Sequence, residues 1–105
     1  MTLVNSQRKQ FKAIGHKLKP IVTLAQNGLS ENVLKEIERA LNDHELIKIK
    51  IHSENRDEKI ALIEDVCQQT SSTLVQTIGN IALIYRSNPQ ANPKLSNILR
   101  NSSLL

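Results

Sequence analysis

The chain of 105 residues has few aromatic side chains, one cysteine and no tryptophan. Its aromatic residues are Phe11 and Tyr85, so recognition by stacking bases on several exposed rings is not expected. The single cysteine, Cys67, excludes an internal disulfide framework and fits a reducing cytoplasm. No apolar run approaches the roughly 20 residues that span a bilayer. The first residues also lack the apolar core of a signal peptide, so we expect a cytoplasmic protein that does not enter the membrane.

Acidic residues are absent before Glu31, and this absence leaves the N-terminal third strongly basic. The bases are Arg8, Lys9, Lys12, Lys17 and Lys19. The plain alternative is an ordinary solvated helix face, but such faces usually mix charges of both signs. The asymmetry indicates a polyanionic partner: RNA, DNA or, as the weakest candidate, an anionic membrane.

Catalytic and metal-binding patterns are missing as well. The histidines (His16, His44 and His52) do not have metal-ligand spacing with one another or with Cys67. Cys67 falls on an apolar helical stripe with Ile60, Ile63 and Val66, which predicts a buried structural thiol. We therefore expect no enzyme activity, cofactor, metal or small-molecule substrate, and a monomer.

Hydrophobic periodicity predicts an α/β fold. Helices are expected over residues 6–18, 30–43 and 55–70, and strands over 21–24, 45–52, 73–78 and 81–86. The order is an N-terminal helix followed by β-α-β-α-β-β, which predicts a mixed four-stranded sheet packed with helices. We expect residues 1–87 to form one domain and the Asn-, Ser- and Pro-rich tail, 88–105, to be mobile or loosely docked.

Several details of this prediction are specific enough to test. Pro20 should end the first helix, and Ser30 should cap the second. Gly79-Asn80 between two β-rich runs predicts a type II′ hairpin turn. Gly15 lies inside the first helix at a cost of about 1 kcal/mol in helix propensity, for which the sequence offers no reason.

Three further places are candidate phosphate contacts. The turn Ala25-Gln26-Asn27-Gly28 leads into a helix N-terminus, where small residues would let a sugar-phosphate backbone approach the free amides. Lys48 and Lys50 form a basic strand face that would either touch the ligand or keep the sheet soluble. Arg86 would bind a phosphate or pair with a carboxylate of the domain.

These segments together resemble a known family. They are Leu18-Lys19-Pro20-Ile21-Val22, Asn27-Gly28-Leu29-Ser30, Glu45-Leu46-Ile47-Lys48-Ile49-Lys50, Ile78-Gly79 and Leu83-Ile84-Tyr85-Arg86. In order and spacing they are similar to the CRM domain, and more narrowly to the stand-alone bacterial YhbY-type RNA-binding proteins. The resemblance covers residues 3–87 and leaves out the tail.

The resemblance implies a fold like the C-terminal domain of translation initiation factor 3. It also implies ribosome biogenesis: binding to precursor rRNA of the large subunit (pre-50S) as an assembly factor. In the family, the loop after the first strand is a Gly-x-x-Gly backbone clamp, which here falls on Ala25 to Gly28. Ala25 replaces the first glycine, so a positive backbone angle there would be costly.

The resulting expectation is a non-catalytic RNA-binding protein. Its candidate contacts are Arg8, Lys9, Lys12, Lys17, Lys19, Gln26, Asn27, Gly28 and Arg86, with Lys48 and Lys50 as a second set. The alternative is a protein-interaction adaptor that docks on a ribosomal protein or another acidic partner. DNA binding is a more distant alternative, because no recognition-helix arrangement is evident.

Overall fold

The computed structural model describes residues 3–25 and 28–104, and it has the predicted order of elements. The helices are α1 (Asn5–Gly15), α2 (Glu31–His44) and α3 (Arg56–Thr70). The strands are β1 (Pro20–Leu24), β2 (Leu46–Ile51), β3 (Thr73–Ile78) and β4 (Ile81–Tyr85). A short 3-10 helix, Leu99–Leu104, follows in the tail. The α/β fold class is therefore confirmed.

The four strands form one mixed sheet in the order β1-β2-β4-β3. β1 and β2 are parallel, as a helical crossover requires, and β4 pairs antiparallel with both β2 and β3. The last strand thus lies between β2 and β3. Gly79 has a φ of +55°, whereas Asn80 has no positive φ, which agrees with the predicted type II′ turn.

The helix starts follow their capping residues. The Ser30 side chain accepts a hydrogen bond from the Val33 amide at 3.2 Å, and Asn55 accepts bonds from the amides of Asp57 and Glu58. The predicted end of α1 near Leu18, before Pro20, is wrong: the helix ends at Gly15, and Pro20 is the first residue of β1. Two tight i→i+3 bonds, from Lys17 N to Ile14 O and from Leu18 N to Gly15 O, turn the chain there toward β1.

Helices cover the two faces of the sheet unequally. The face toward α2 and α3 has a buried centre, with Ile37, Leu41 and Val66 packed on Ile49 and Ile84, while Thr77 at its β3 edge is exposed. One predicted core residue is misplaced: Ile60 is 45% exposed, because it lies toward the outer side of α3. Ile63 and Val66 of the predicted stripe are buried, whereas Cys67, predicted to be a buried thiol, is half-buried.

The opposite face of the sheet carries only α1 and the tail. Phe11 and Ile14 pack with Leu46, Leu83 and Tyr85 in a second hydrophobic cluster. Because α1 is short, it covers one end of this face and leaves the end near the β3–β4 turn uncovered.

Gly15 is explained by the approach of α1 to β4. A Cβ atom at Gly15 would lie 2.5 Å from Cδ2 of Leu83, which is itself buried. Any side chain would therefore force the Leu83 side chain or α1 itself to shift. The helix-propensity cost is offset by this close packing.

The tail lies against the domain at two buried residues. Ser96 is fully buried and donates a hydrogen bond to Glu45, and Ile98 joins the second hydrophobic cluster. The His44 ring nitrogen Nδ1 lies 2.8 Å from the carbonyl oxygen of Leu95. These contacts place the tail beside the α2–β2 junction, while its mobility in solution stays a prediction.

Candidate nucleic-acid interface

The basic segment before β1 places four lysines in solvent. We call them the lysine flank: Lys9, Lys12, Lys17 and Lys19, all exposed. Lys9 and Lys12 lie on α1, and the other two follow it in the turn toward β1. With no acidic residue in this segment, their charges add to a local positive potential.

Arg8 differs from its basic neighbours because it is half-buried. Its Nη1 atom donates hydrogen bonds to the carbonyl oxygens of Leu74 and Val75, at 2.9 and 2.7 Å. These carbonyls lie at the irregularity in the β3–β4 register between Leu74 and Gln76. Arg8 therefore fastens α1 to edge strand β3, a structural role that the charge pattern does not reveal.

The two β2 lysines lie on the same face of the sheet as α1. Lys48 is half-buried, and its Nζ atom donates a hydrogen bond of 3.1 Å to the carbonyl oxygen of Leu18. Lys50 is exposed and lies opposite Ile81 in the register. The predicted alternation of β2 is confirmed, and Lys48 also links the strand to the turn after α1.

The uncovered end of this face forms an open shelf. Its lining residues are Lys48, Gln76, Ile78, Ile81 and Leu83. Ile78 is 61% exposed, so the shelf combines an apolar surface with a cation at its border. Its apolar part is the kind of surface that a partner can cover.

A second depression, the edge hollow, lies where β1 begins. Its lining includes Lys19, Ile21, His44, Lys48, Asn97 and Arg100. Lys48 thus borders both the open shelf and the edge hollow. The sequence pattern did not assign Arg100 to any surface. The only signal was a basic residue in a tail otherwise rich in Asn, Ser and Pro.

The turn before α2 is described only at its ends. Gln26 and Asn27, two of the predicted contacts, lie outside the described residues. Gly28 has a φ of +75°, which favours glycine, and Ala25 has no positive φ, so replacement of the first family glycine causes no backbone strain. At the adjoining helix start, Glu31 places a carboxylate that opposes an incoming phosphate.

Arg86 takes the intramolecular role that was the alternative for it. Its Nη1 atom lies 2.7 Å from the Glu38 carboxylate and also donates to the carbonyl oxygen of Thr70. Its Nη2 atom donates to the Glu38 carbonyl and to the Asn42 side chain. A phosphate would have to displace these acceptors, so Arg86 is not part of the interface proposed below.

Reactive chemistry has little support in the described part of the chain. Among those residues, no group of three or more His, Cys, Asp or Glu side chains is placed to hold a metal ion. Burial raises the pKa of Cys67, and a hydrogen bond with Ser72 opposes that shift. The thiol is therefore protonated near neutral pH, unlike a nucleophilic cysteine. No described helix is long and apolar enough to cross a membrane.

Comparison with known sequences agrees with the resemblance noted above. The sequence profile of the CRS1 / YhbY (CRM) domain matches residues 3–86. A probable RNA-binding protein of Pseudomonas aeruginosa is 57% identical over 100 residues, covering 95% of this chain and 96% of that protein. An RNA-binding protein of Haemophilus influenzae is 45% identical over 96 residues, covering 90% of this chain and 97% of that protein.

A solved structure agrees as well. The solution structure of a hypothetical Staphylococcus aureus protein, proposed to bind RNA, superposes with a TM-score of 0.75 at 34% sequence identity. The match covers 85% of this chain and 93% of that protein. With the profile match across most of its length, the chain belongs to the CRS1 / YhbY (CRM) domain family.

Proposed function

We propose that this protein binds RNA through the lysine flank, and that it acts as a non-catalytic assembly factor on large-subunit precursor rRNA in the cytoplasm. The observation that carries the proposal is the exposure of all four flank lysines in a segment without acidic residues. Membership in the CRM family and the RNA-binding names of the relatives from Pseudomonas and Haemophilus support the same partner.

Recognition would depend on the position of phosphates rather than on stacked bases. Both aromatic rings are in the second hydrophobic cluster: Phe11 is 4% exposed and Tyr85 is 9% exposed. Their ring centroids are 4.6 Å apart, so the rings pack against each other. Without an exposed ring, sequence preference would come from RNA shape, with the lysines fixing the register of the backbone.

The turn from Ala25 to Gly28 would be the second point of contact with the RNA backbone. Small residues at both described ends leave room for a phosphate, and Gly28 supplies a left-handed turn next to α2. Contacts by Gln26 and Asn27 are part of this proposal. The carboxylate of Glu31 makes the turn a weaker contact than the lysine flank, because its negative charge compensates the positive end of the α2 dipole and repels a phosphate.

The assembly role is tested by sedimenting tagged protein from lysate through a sucrose gradient, with RNA crosslinking in each fraction. The proposal predicts co-sedimentation with large-subunit precursors and crosslinks to precursor rRNA. Protein that stays at the top of the gradient, without crosslinks at low salt, would contradict it.

A protein-interaction adaptor is a second candidate function, favoured by the apolar part of the open shelf. Ile78 is well exposed there beside Ile81 and Lys48. The two functions differ in their response to salt: phosphate contacts give a steep dependence, whereas an interface with an apolar centre responds less. If the protein is an adaptor, replacing Ile78 with serine should lower its affinity for the protein partner and leave its affinity for RNA nearly unchanged.

A further inference from the structure

We infer that the edge hollow is a phosphate-binding site, and that the C-terminal tail supplies one of its three cations, Arg100. The inference rests on the proposed function, since the phosphate would belong to the bound RNA. The family match ends at residue 86, so this site joins family positions to a tail outside the matched region. The other two cations are Lys19 and Lys48.

Lys48 is held in place by the turn that carries Lys19. Its ammonium donates one hydrogen bond to the Leu18 carbonyl oxygen at 3.1 Å, and an ammonium has three donors in all. Lys19 follows directly in the chain and is exposed. The bond to the Leu18 carbonyl therefore holds the Lys48 ammonium beside the residue that precedes Lys19, at the start of β1.

Arg100 is placed by two tail residues that are bound to the domain. The buried Ser96 hydroxyl donates to a Glu45 carboxylate oxygen at 2.8 Å. The Asn97 backbone amide donates to the His44 carbonyl oxygen at 2.9 Å, and its side-chain amide donates to the Leu46 carbonyl oxygen at 2.7 Å. The amide of Arg100 then donates to the carbonyl oxygen of Ser96 at 2.9 Å. The backbone of Arg100 is therefore fixed one turn after these anchors.

The charge and size of the hollow suit a phosphate group. Its lining contains Lys19, Lys48 and Arg100 and no carboxylate among the described residues. The nearby Glu45 carboxylate instead accepts bonds from Ser96 and from the Asn88 amide. Like charges gathered without a counter-ion repel one another, and an anion relieves that repulsion. The volume is about 170 Å³, which equals about five or six water molecules at liquid density and holds a phosphate with part of its hydration shell.

The test compares Arg100→Ala with Lys94→Ala, a matched loss of one exposed tail cation outside the hollow. The probe is a labelled transcript of large-subunit precursor rRNA, with its affinity measured against salt concentration. Losing one phosphate contact should lower the slope of log affinity against log salt by about 0.7, and the affinity by about five-fold at about 0.1 M salt. Lys94→Ala should lower both quantities much less, since it removes only non-specific attraction. A transcript without its 5′-phosphate then shows which phosphate the hollow binds. If it binds the terminal phosphate, removing that phosphate reproduces the effect of Arg100→Ala; if it binds an internal phosphate, the removal has no effect.

A second measurement separates failure of the hollow from failure of RNA binding. Inorganic phosphate is titrated into isotopically labelled protein, and the amide signals of Lys19, Asn97 and Arg100 are followed by NMR. Signal changes confined to these residues support the hollow even if the transcript does not bind. If the wild type binds RNA but Arg100→Ala equals Lys94→Ala and phosphate shifts none of these signals, the hollow is not a phosphate site.

Discussion

Replacing Lys12, Lys17 and Lys19 together with alanine should remove much of the affinity for RNA without unfolding the protein. All three side chains are exposed, so truncation leaves no cavity and no buried group without a partner. Arg8 is left in place because it bonds to β3. The variant therefore separates RNA contact from attachment of α1.

The size of the effect follows from the release of counter-ions. Each single-strand phosphate neutralised contributes about 0.7 to the slope of log affinity against log salt. Three lost contacts should lower that slope by about 2, which corresponds to about 100-fold in affinity at about 0.1 M salt. The difference should nearly vanish near about 1 M salt, because counter-ion release then contributes little.

Fluorescence anisotropy with a labelled precursor transcript across a salt series measures both quantities. The matched control replaces Arg39, Arg56 and Lys94, three exposed cations outside the flank, with alanine. Both variants lose three positive charges, so non-specific attraction falls equally. Equal losses of affinity in the two variants, or no loss in the flank variant while it remains folded, would refute the assignment of the interface.

Three further predictions concern stability, each measured by chemical unfolding. Arg86→Met should lower the free energy of unfolding by about 2 kcal/mol, less than the loss of a fully buried pair, because the Glu38 side chain is 40% exposed. The affinity for RNA should not change, and a loss of RNA binding in the folded variant would show that Arg86 belongs to the interface. Gly15→Ala should destabilise the protein by about 1 kcal/mol, since overlap with Leu83 outweighs the gain in helix propensity, whereas a stabilised variant would contradict the close packing. Burial raises the pKa of Cys67 from its ordinary 9.0 and that of Tyr85 from 10.0, so the folded state retains protons that the unfolded chain releases. The contribution of these two groups to stability should therefore be complete below about pH 9 and should be lost as the pH rises through their folded-state pKa values. Cys67→Ala should remove the first part of this loss. An unchanged alkaline profile in that variant would show that the thiol does not contribute.

Local patterns in the sequence were sufficient to predict most of the fold. The alternation of Ile47, Ile49 and Ile51 predicted the buried face of β2, and the Gly79-Asn80 pair predicted the hairpin turn. Ser30 marked the start of α2 because its hydroxyl can serve the first turn of that helix. Each of these signals depends on residues that are neighbours in the chain.

Contacts between distant residues could not be predicted in the same way. Arg8 looks like a free cation in the sequence, and for Arg86 the sequence left a phosphate and an unnamed carboxylate as alternatives. In the structure they bond to groups 66 and 48 positions away, at Leu74 and Glu38. Gly15 has a low helix propensity that only the close approach of the Leu83 side chain explains. The position of Arg100 next to Lys48 likewise depends on how the tail crosses the α2–β2 junction.

The most direct test of the central claim is to map crosslinks on the protein while it is bound to large-subunit precursor rRNA. Mass spectrometry of ultraviolet-crosslinked peptides locates the contact without any substitution in the chain. The account predicts that crosslinks concentrate on peptides containing residues 9–19, with a further set at residues 25–28. Crosslinks confined to the outer surfaces of α2 and α3, with the lysine flank unmodified, would contradict it.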